Sequence, residues 1–141
     1  MTKLLLSVHV LAAVIAIGPV AVAASMFPAA LRAATPDQAA LRVLHRICRV
    51  YAGVGIVVPV FGLATGSSLG VLGDAWLLVS IALTAAAAGV LGLLVLPRQR
   101  AVLAGVRVEP SRLAAHAGVF NLLWAVVTVL MIVRPGSTTG V

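Results

Sequence analysis

The chain has 141 residues, 62% of them hydrophobic and 9% charged, whereas a soluble domain carries about a quarter charged residues, so an ordinary water-soluble fold is excluded. Ten Lys and Arg stand against three acids, a formal charge of +7. The basic residues gather in short segments between long apolar runs, where anionic lipid headgroups are the nearest partner, and this clustering argues against nucleic acid.

A membrane-crossing helix needs about 20 predominantly apolar residues, and four segments meet that requirement: 4–27, 50–70, 75–96 and 113–133. None contains a charged side chain. The sequence therefore predicts an all-α fold, a transmembrane four-helix bundle forming a single membrane domain over residues 1–141. The first segment, with Lys3 before it and Ala21-Val22-Ala23 near its end, also matches a signal peptide. Its apolar run is longer than an ordinary signal core, and cleavage would strand an arginine-rich connection outside, so a retained helix is expected.

Thr35-Pro36-Asp37-Gln38 reads as an N-cap, a first-turn proline, an acid and a capping-box partner. Helix two is thus expected to begin near Pro36, before it enters the bilayer. Arg42, His45 or Arg46, and Arg49 follow at helical spacing and form a basic stripe against lipid phosphates. Asp74 is the expected N-cap of helix three, Pro97 its expected end, and Pro135-Gly136 the stop of helix four.

Orientation follows from the positive-inside rule. The first connection carries Arg32, Arg42, Arg46 and Arg49, the third carries Arg98, Arg100, Arg107 and Arg112, and the middle turn carries no basic residue. Both arginine-bearing connections are expected on the cytoplasmic side against anionic headgroups, with both termini outside; Lys3 and Arg134 are the exceptions.

Helices associate in lipid through close backbone approach and hydrogen bonds. Gly62, Gly66 and Gly70 form two successive G-x-x-x-G steps, and Ser80, Thr84, Ala88 and Gly92 form a small-residue row on helix three. These rows are expected to face one another, or a second copy of the chain. Pro19 and Pro59 free the carbonyls of Ile15 and Gly55, and Asn121, at a similar depth, is the expected donor to one of them, in a packing role.

Polar groups within a span are functional candidates by default. His9 lies roughly 8 Å inside the outer boundary at 1.5 Å per residue, level with Thr65, Ser80 and Thr128, and Met131 lies toward the same face. A histidine in that setting suits a metal, a haem iron, a proton relay or a cross-bundle hydrogen bond. His45 and His116 belong to the opposite face beside arginines, which suits an anion better than a cation. Trp76, Trp124 and Tyr51 read as interfacial or packing aromatics. The single cysteine, Cys48, excludes an internal disulfide and a thiolate zinc cluster, and three acids leave carboxylate acid–base chemistry almost nothing to use.

The segments Leu5-Leu6-Ser7-Val8-His9-Val10-Leu11-Ala12-Ala13, Leu44-His45-Arg46 with Pro59 and Gly62, and Val129-Leu130-Met131-Ile132-Val133-Arg134-Pro135-Gly136 resemble a bacterial family of predicted four-helix integral membrane proteins of unknown function. That resemblance covers essentially the whole chain and implies a multi-pass protein of the bacterial cytoplasmic (inner) membrane. More distantly, the leucine–histidine pair near the start of helix one is similar to the copper-resistance protein D membrane domain and to the small bacterial membrane protoporphyrinogen oxidase. This likeness implies a haem or copper role for His9. Leu6 stands where the oxidase pattern has lysine, and Phe27-Pro28-Ala29-Ala30 where it has a proline–arginine pair.

The leading functional expectation is a non-enzymatic accessory or partner subunit of a larger membrane assembly, or a homo-oligomer. A haem- or copper-handling protein centred on His9 is the alternative. Few intramembrane polar groups are available to a small-solute carrier.

Overall fold

A computed structural model describes residues 2–136, and their regular structure is entirely helical. The elements are α1 (Thr2–Leu31), α2 (Gln38–Val54), α3 (Val57–Leu69), α4 (Ala75–Gly89), α5 (Leu96–Leu103) and α6 (Pro110–Val133), with a π-helical turn, Val90–Val95, joining α4 to α5. They make four rods: α1, α2 with α3, α4 with α5, and α6. Each rod is long and apolar enough to cross a membrane, so the chain is an all-α four-helix bundle of the transmembrane type. Val14, Ile56, Leu93, Leu122 and Ile132 are 65–75% exposed. In water such a surface would drive association, whereas hydrocarbon solvates it.

Local chemistry sets the boundaries, and in places moves them from where the sequence put them. The N-cap of α2 is Asp37, not Thr35: its Oδ1 accepts from the Ala39 amide at 2.9 Å, and α2 starts at Gln38. Asp74 holds the N-cap position of α4, but its carboxylate accepts from Trp76 Nε1 at 3.1 Å and not from a backbone amide. Pro59 cannot donate to Gly55, and the rod breaks there between α2 and α3. The Val58 amide donates to the Gly55 carbonyl at 3.1 Å, so that oxygen is satisfied within its own turn and needs nothing from Asn121.

Pro97 does not end the third helix. Its ring would crowd the Leu93 carbonyl in a regular α-helix. The preceding residues widen instead into the π-turn, in which the Leu96 amide bonds to Leu91, five residues back, and the rod continues to Leu103. A local widening of this kind is an established way for a helix to pass a proline. Continuation places Leu91, Val95, Gln99 and Val102 in one buried row.

The rods meet in three layers. The central layer joins Val20, Ala23 and Ala24 of α1, Cys48 of α2, Ala87, Leu91 and Val95 of the third rod, and Ala117 and Phe120 of α6; its alanines allow close backbone approach. Phe27, Leu41, Val102 and Leu113 form a layer at the arginine-bearing end. Val71, Trp76 and Leu77, with Met131 against them, form a layer at the opposite, turn-bearing end.

α1 packs on α2, α3 and α6; α6 packs on α4 and the π-turn; α2 meets α5. The glycine row of α3 therefore does not face the small-residue row of α4. Gly62 lies against His9 of α1, Gly66 lies against Leu72 and Leu77 beside the turn, and Gly70, at φ 72°, caps α3 in the left-handed region. The small-residue row fails for a geometric reason. A four-residue step advances about 400° around a helix, so the row drifts about 40° per step, from buried Ser80 through half-buried Thr84 to exposed Ala88 and Gly92.

Candidate functional site

Two rows share α2. Leu41, His45 and Cys48, spaced by four and three residues, point into the bundle, while Arg42, Arg46 and Arg49, one position further on, are exposed. A shift of one residue turns a side chain by about 100°, so the arginines border the buried row and do not oppose it. His45 is 6% exposed and so belongs to the core row, not to the basic stripe.

His45 meets Gln99, which the continuation of the helix past Pro97 brings inside. His45 Nδ1 donates to Gln99 Oε1 at 2.9 Å, because an amide oxygen can only accept. Gln99 Nε2 in turn donates to Cys48 Sγ at 3.6 Å. Gln99 and Cys48 are both 0% exposed. This buried chain ties α2 to α5 and fixes the imidazole with Nε2 as its remaining nitrogen. Gln99 cannot titrate, so the chain positions the ring and does not pass a proton through the amide.

Over this buried chain lies a groove of about 580 Å³, lined by Ala39, Arg42, Val43, His45, Arg46, Arg49 and Leu103. No carboxylate pairs with the three arginines among the described residues. The groove thus combines a basic rim, a buried imidazole and apolar walls. Of the basic residues in the third connection, Arg100, Arg107 and Arg112 are exposed, and half-buried Arg98 donates from Nη1 to the Leu94 carbonyl at 3.2 Å. None of these four lines the groove.

His9 is a separate feature in the other half of the bundle. Its Nδ1 donates to the Val58 carbonyl at 2.8 Å, and its ring packs against Gly62, where an added Cβ would come within 2.8 Å of Cε1. Glycine is what admits the imidazole between α1 and α3. The hydroxyls level with His9 do not bond to it: Thr65 donates to Phe61, Ser80 to Trp76 and Thr128 to Trp124, each to the carbonyl four residues back. Met131 packs with Val71, Trp76 and Leu77. Among the described residues no three His, Cys, Asp or Glu side chains gather as an ion-binding group. The donors present would supply a single imidazole, that of His9, and do not fit a metal centre ligated by this chain alone.

Asn121 bonds neither freed proline carbonyl. Its Nδ2 donates to Ser25 Oγ at 3.0 Å, linking α6 to α1, while its Oδ1 is buried without a donor. Trp124 Nε1 and His116 Nδ1 are likewise buried without partners. Trp76 is held between Asp74 and Arg134, whose guanidinium stands 5.5 Å from the ring centre, so it fastens the start of α4 to the end of α6.

Gln99 is hidden in the sequence because Pro97 reads as a helix stop. The signal that finds it is the row Leu91, Val95, Gln99, Val102, unbroken across the proline. Compared with protein-family models, with curated proteins and with solved structures, the chain matches none of them.

Proposed function

We propose that this chain is a non-enzymatic subunit of a membrane assembly, seated in the bacterial inner membrane with its arginine-bearing end toward the cytoplasm, and that it associates laterally through one face of its third rod. The observation that carries the reading is the bare small-residue face formed by Ala85, Ala88, Gly89 and Gly92. Ala85, Ala88 and Gly92 are exposed and Gly89 is half-exposed, and a Cβ added at Gly89 or Gly92 would meet nothing within 4 Å. Such a face gives lipid little to pack against but lets another helix approach to backbone contact. By contrast, Gly62 and Gly66 are already covered within the chain.

Ala88→Cys tests this by cross-linking in the native membrane, the chain's own Cys48 being buried. Specific cross-links to one partner, lost when Gly92→Leu is added, are expected. A monomer on mild solubilisation, with cross-linking indifferent to Gly92→Leu, sinks the reading.

A second reading is favoured by one observation at His9. The hydrogen bond from Nδ1 to a backbone carbonyl fixes the tautomer in which Nε2 carries the lone pair, the arrangement that supports a histidine ligand. Haem or copper held at His9 would give a Soret band or stoichiometric copper that disappears in His9→Ala. Colourless, copper-free protein purified from haem- and copper-replete cells removes this reading.

A further inference from the structure

We propose that the groove at the arginine-bearing end is a specific site for the headgroup of an anionic phospholipid carrying two phosphates, in preference to one carrying a single phosphate. The groove lies on α2 at the arginine-bearing end, and its occupancy does not depend on lateral association through the third rod.

Arg42, Arg46 and Arg49 line one groove from successive turns of α2. No acid neutralises them among the described residues, and Asp37, the nearest acid on that element, is engaged as the cap of α2. A single phosphate answers one of these guanidiniums with a bidentate pair. Two phosphates held a few ångströms apart answer two or three.

His45 separates this site from the general attraction of surface arginines to headgroups. It lines the groove yet is 6% exposed, so it cannot swing out toward whatever anion passes. Gln99 holds its ring through Nδ1, and Nε2 makes no hydrogen bond within the described protein. In this tautomer Nε2 is an acceptor. It suits a hydroxyl such as the one on a glycerol bridging two phosphates. The remaining walls, Ala39, Val43 and Leu103, are apolar and suit the glycerol ester and the start of the acyl chains.

Depth argues for a lipid over a soluble phosphate compound. Arg49 adjoins Val50, where the apolar part of the second rod begins, so the groove lies at the level where lipid phosphates stand. Basic pockets at helix ends are a recurring setting for such headgroups.

The test is native mass spectrometry of the detergent-purified full chain with cardiolipin, phosphatidylglycerol or phosphatidylcholine added at equal concentration. One cardiolipin retained per chain is expected, with phosphatidylglycerol weaker by about tenfold and phosphatidylcholine not retained. Arg42→Gln/Arg46→Gln should weaken cardiolipin about tenfold or more, whereas Arg100→Gln/Arg107→Gln, which removes the same charge outside the groove, should not. All four arginines are exposed, so neither variant threatens the fold. His45→Phe/Gln99→Leu keeps an aromatic ring, leaves no orphaned partner in the core and removes the Nε2 acceptor, and should narrow the preference for cardiolipin over phosphatidylglycerol. Equal losses in the two double-arginine variants would show charge attraction without a site and overturn the proposal. Displacement of cardiolipin by inorganic phosphate, or equal retention of cardiolipin and phosphatidylglycerol, would overturn it as well.

Discussion

The two halves of this bundle satisfy their polar groups in different ways. At the arginine-bearing end His45, Gln99 and Cys48 reach across from one rod to another. Toward the turn-bearing end Thr65, Ser80, Thr84 and Thr128 each bond the carbonyl one turn back on their own helix. The difference lies in side-chain reach. A hydroxyl on a β-carbon lies close enough to its own backbone to be satisfied there, whereas a glutamine or histidine pointing inward must find a partner on a neighbouring helix. Hydroxyls at a similar depth therefore do not make a polar site, and a buried amide beside an imidazole does. His9 follows the same rule in the turn-bearing half, since it crosses to α3 for its carbonyl.

The largest effect on this contrast should come from Gln99→Leu. It strands the His45 Nδ1–H in the core, at about 1–3 kcal/mol, read as a lowered unfolding midpoint in detergent. His45→Leu/Gln99→Leu should recover most of that loss, since removing both partners leaves no orphan; additive losses would mean that the pair is not coupled. In the turn-bearing half, Gly62→Val should cost about 1–3 kcal/mol by forcing the His9 ring off α3. The cost should shrink in a His9→Ala background, and if it does not, the imidazole is not what the glycine accommodates. The smallest effect is expected from Asn121→Leu. Interhelical hydrogen bonds in bilayers average about 0.6 kcal/mol, and the variant also removes the buried, unpartnered Oδ1, so the midpoint should move little in either direction. A large drop would assign Asn121 a role beyond its bond to Ser25.

Much of the architecture was legible because hydropathy reports directly on the solvent. Four long apolar runs, separated by arginines, prolines and glycines, allow few folds other than four helical rods. Legibility ended where a residue has two plausible roles. Pro97 could stop a helix or be passed by a π-turn, and the choice depended on whether the core had room for Gln99 and Val102 beyond it. Gly70 could be the third member of a packing row or a left-handed cap, and the tight turn to α4 made it a cap. His45 could belong with Arg46 or with Leu41 and Cys48. The spacing of Leu41, His45 and Cys48 already favoured the buried row, but the neighbouring arginines drew the residue into the wrong set.

By itself, then, the sequence determined the solvent, the number of crossings and the end of the bundle that carries the positive charge, because backbone amides in hydrocarbon must bond within their own helix and guanidiniums must stay near water. Tertiary structure alone decided which helices became neighbours. Connection length brings α3 and α4 together only at their joined ends, and the packing of α1 against α3 and of α6 against α4 draws them to different partners. That choice of neighbours seats His9 on Gly62, carries Gln99 to His45 and leaves the small-residue face of α4 uncovered.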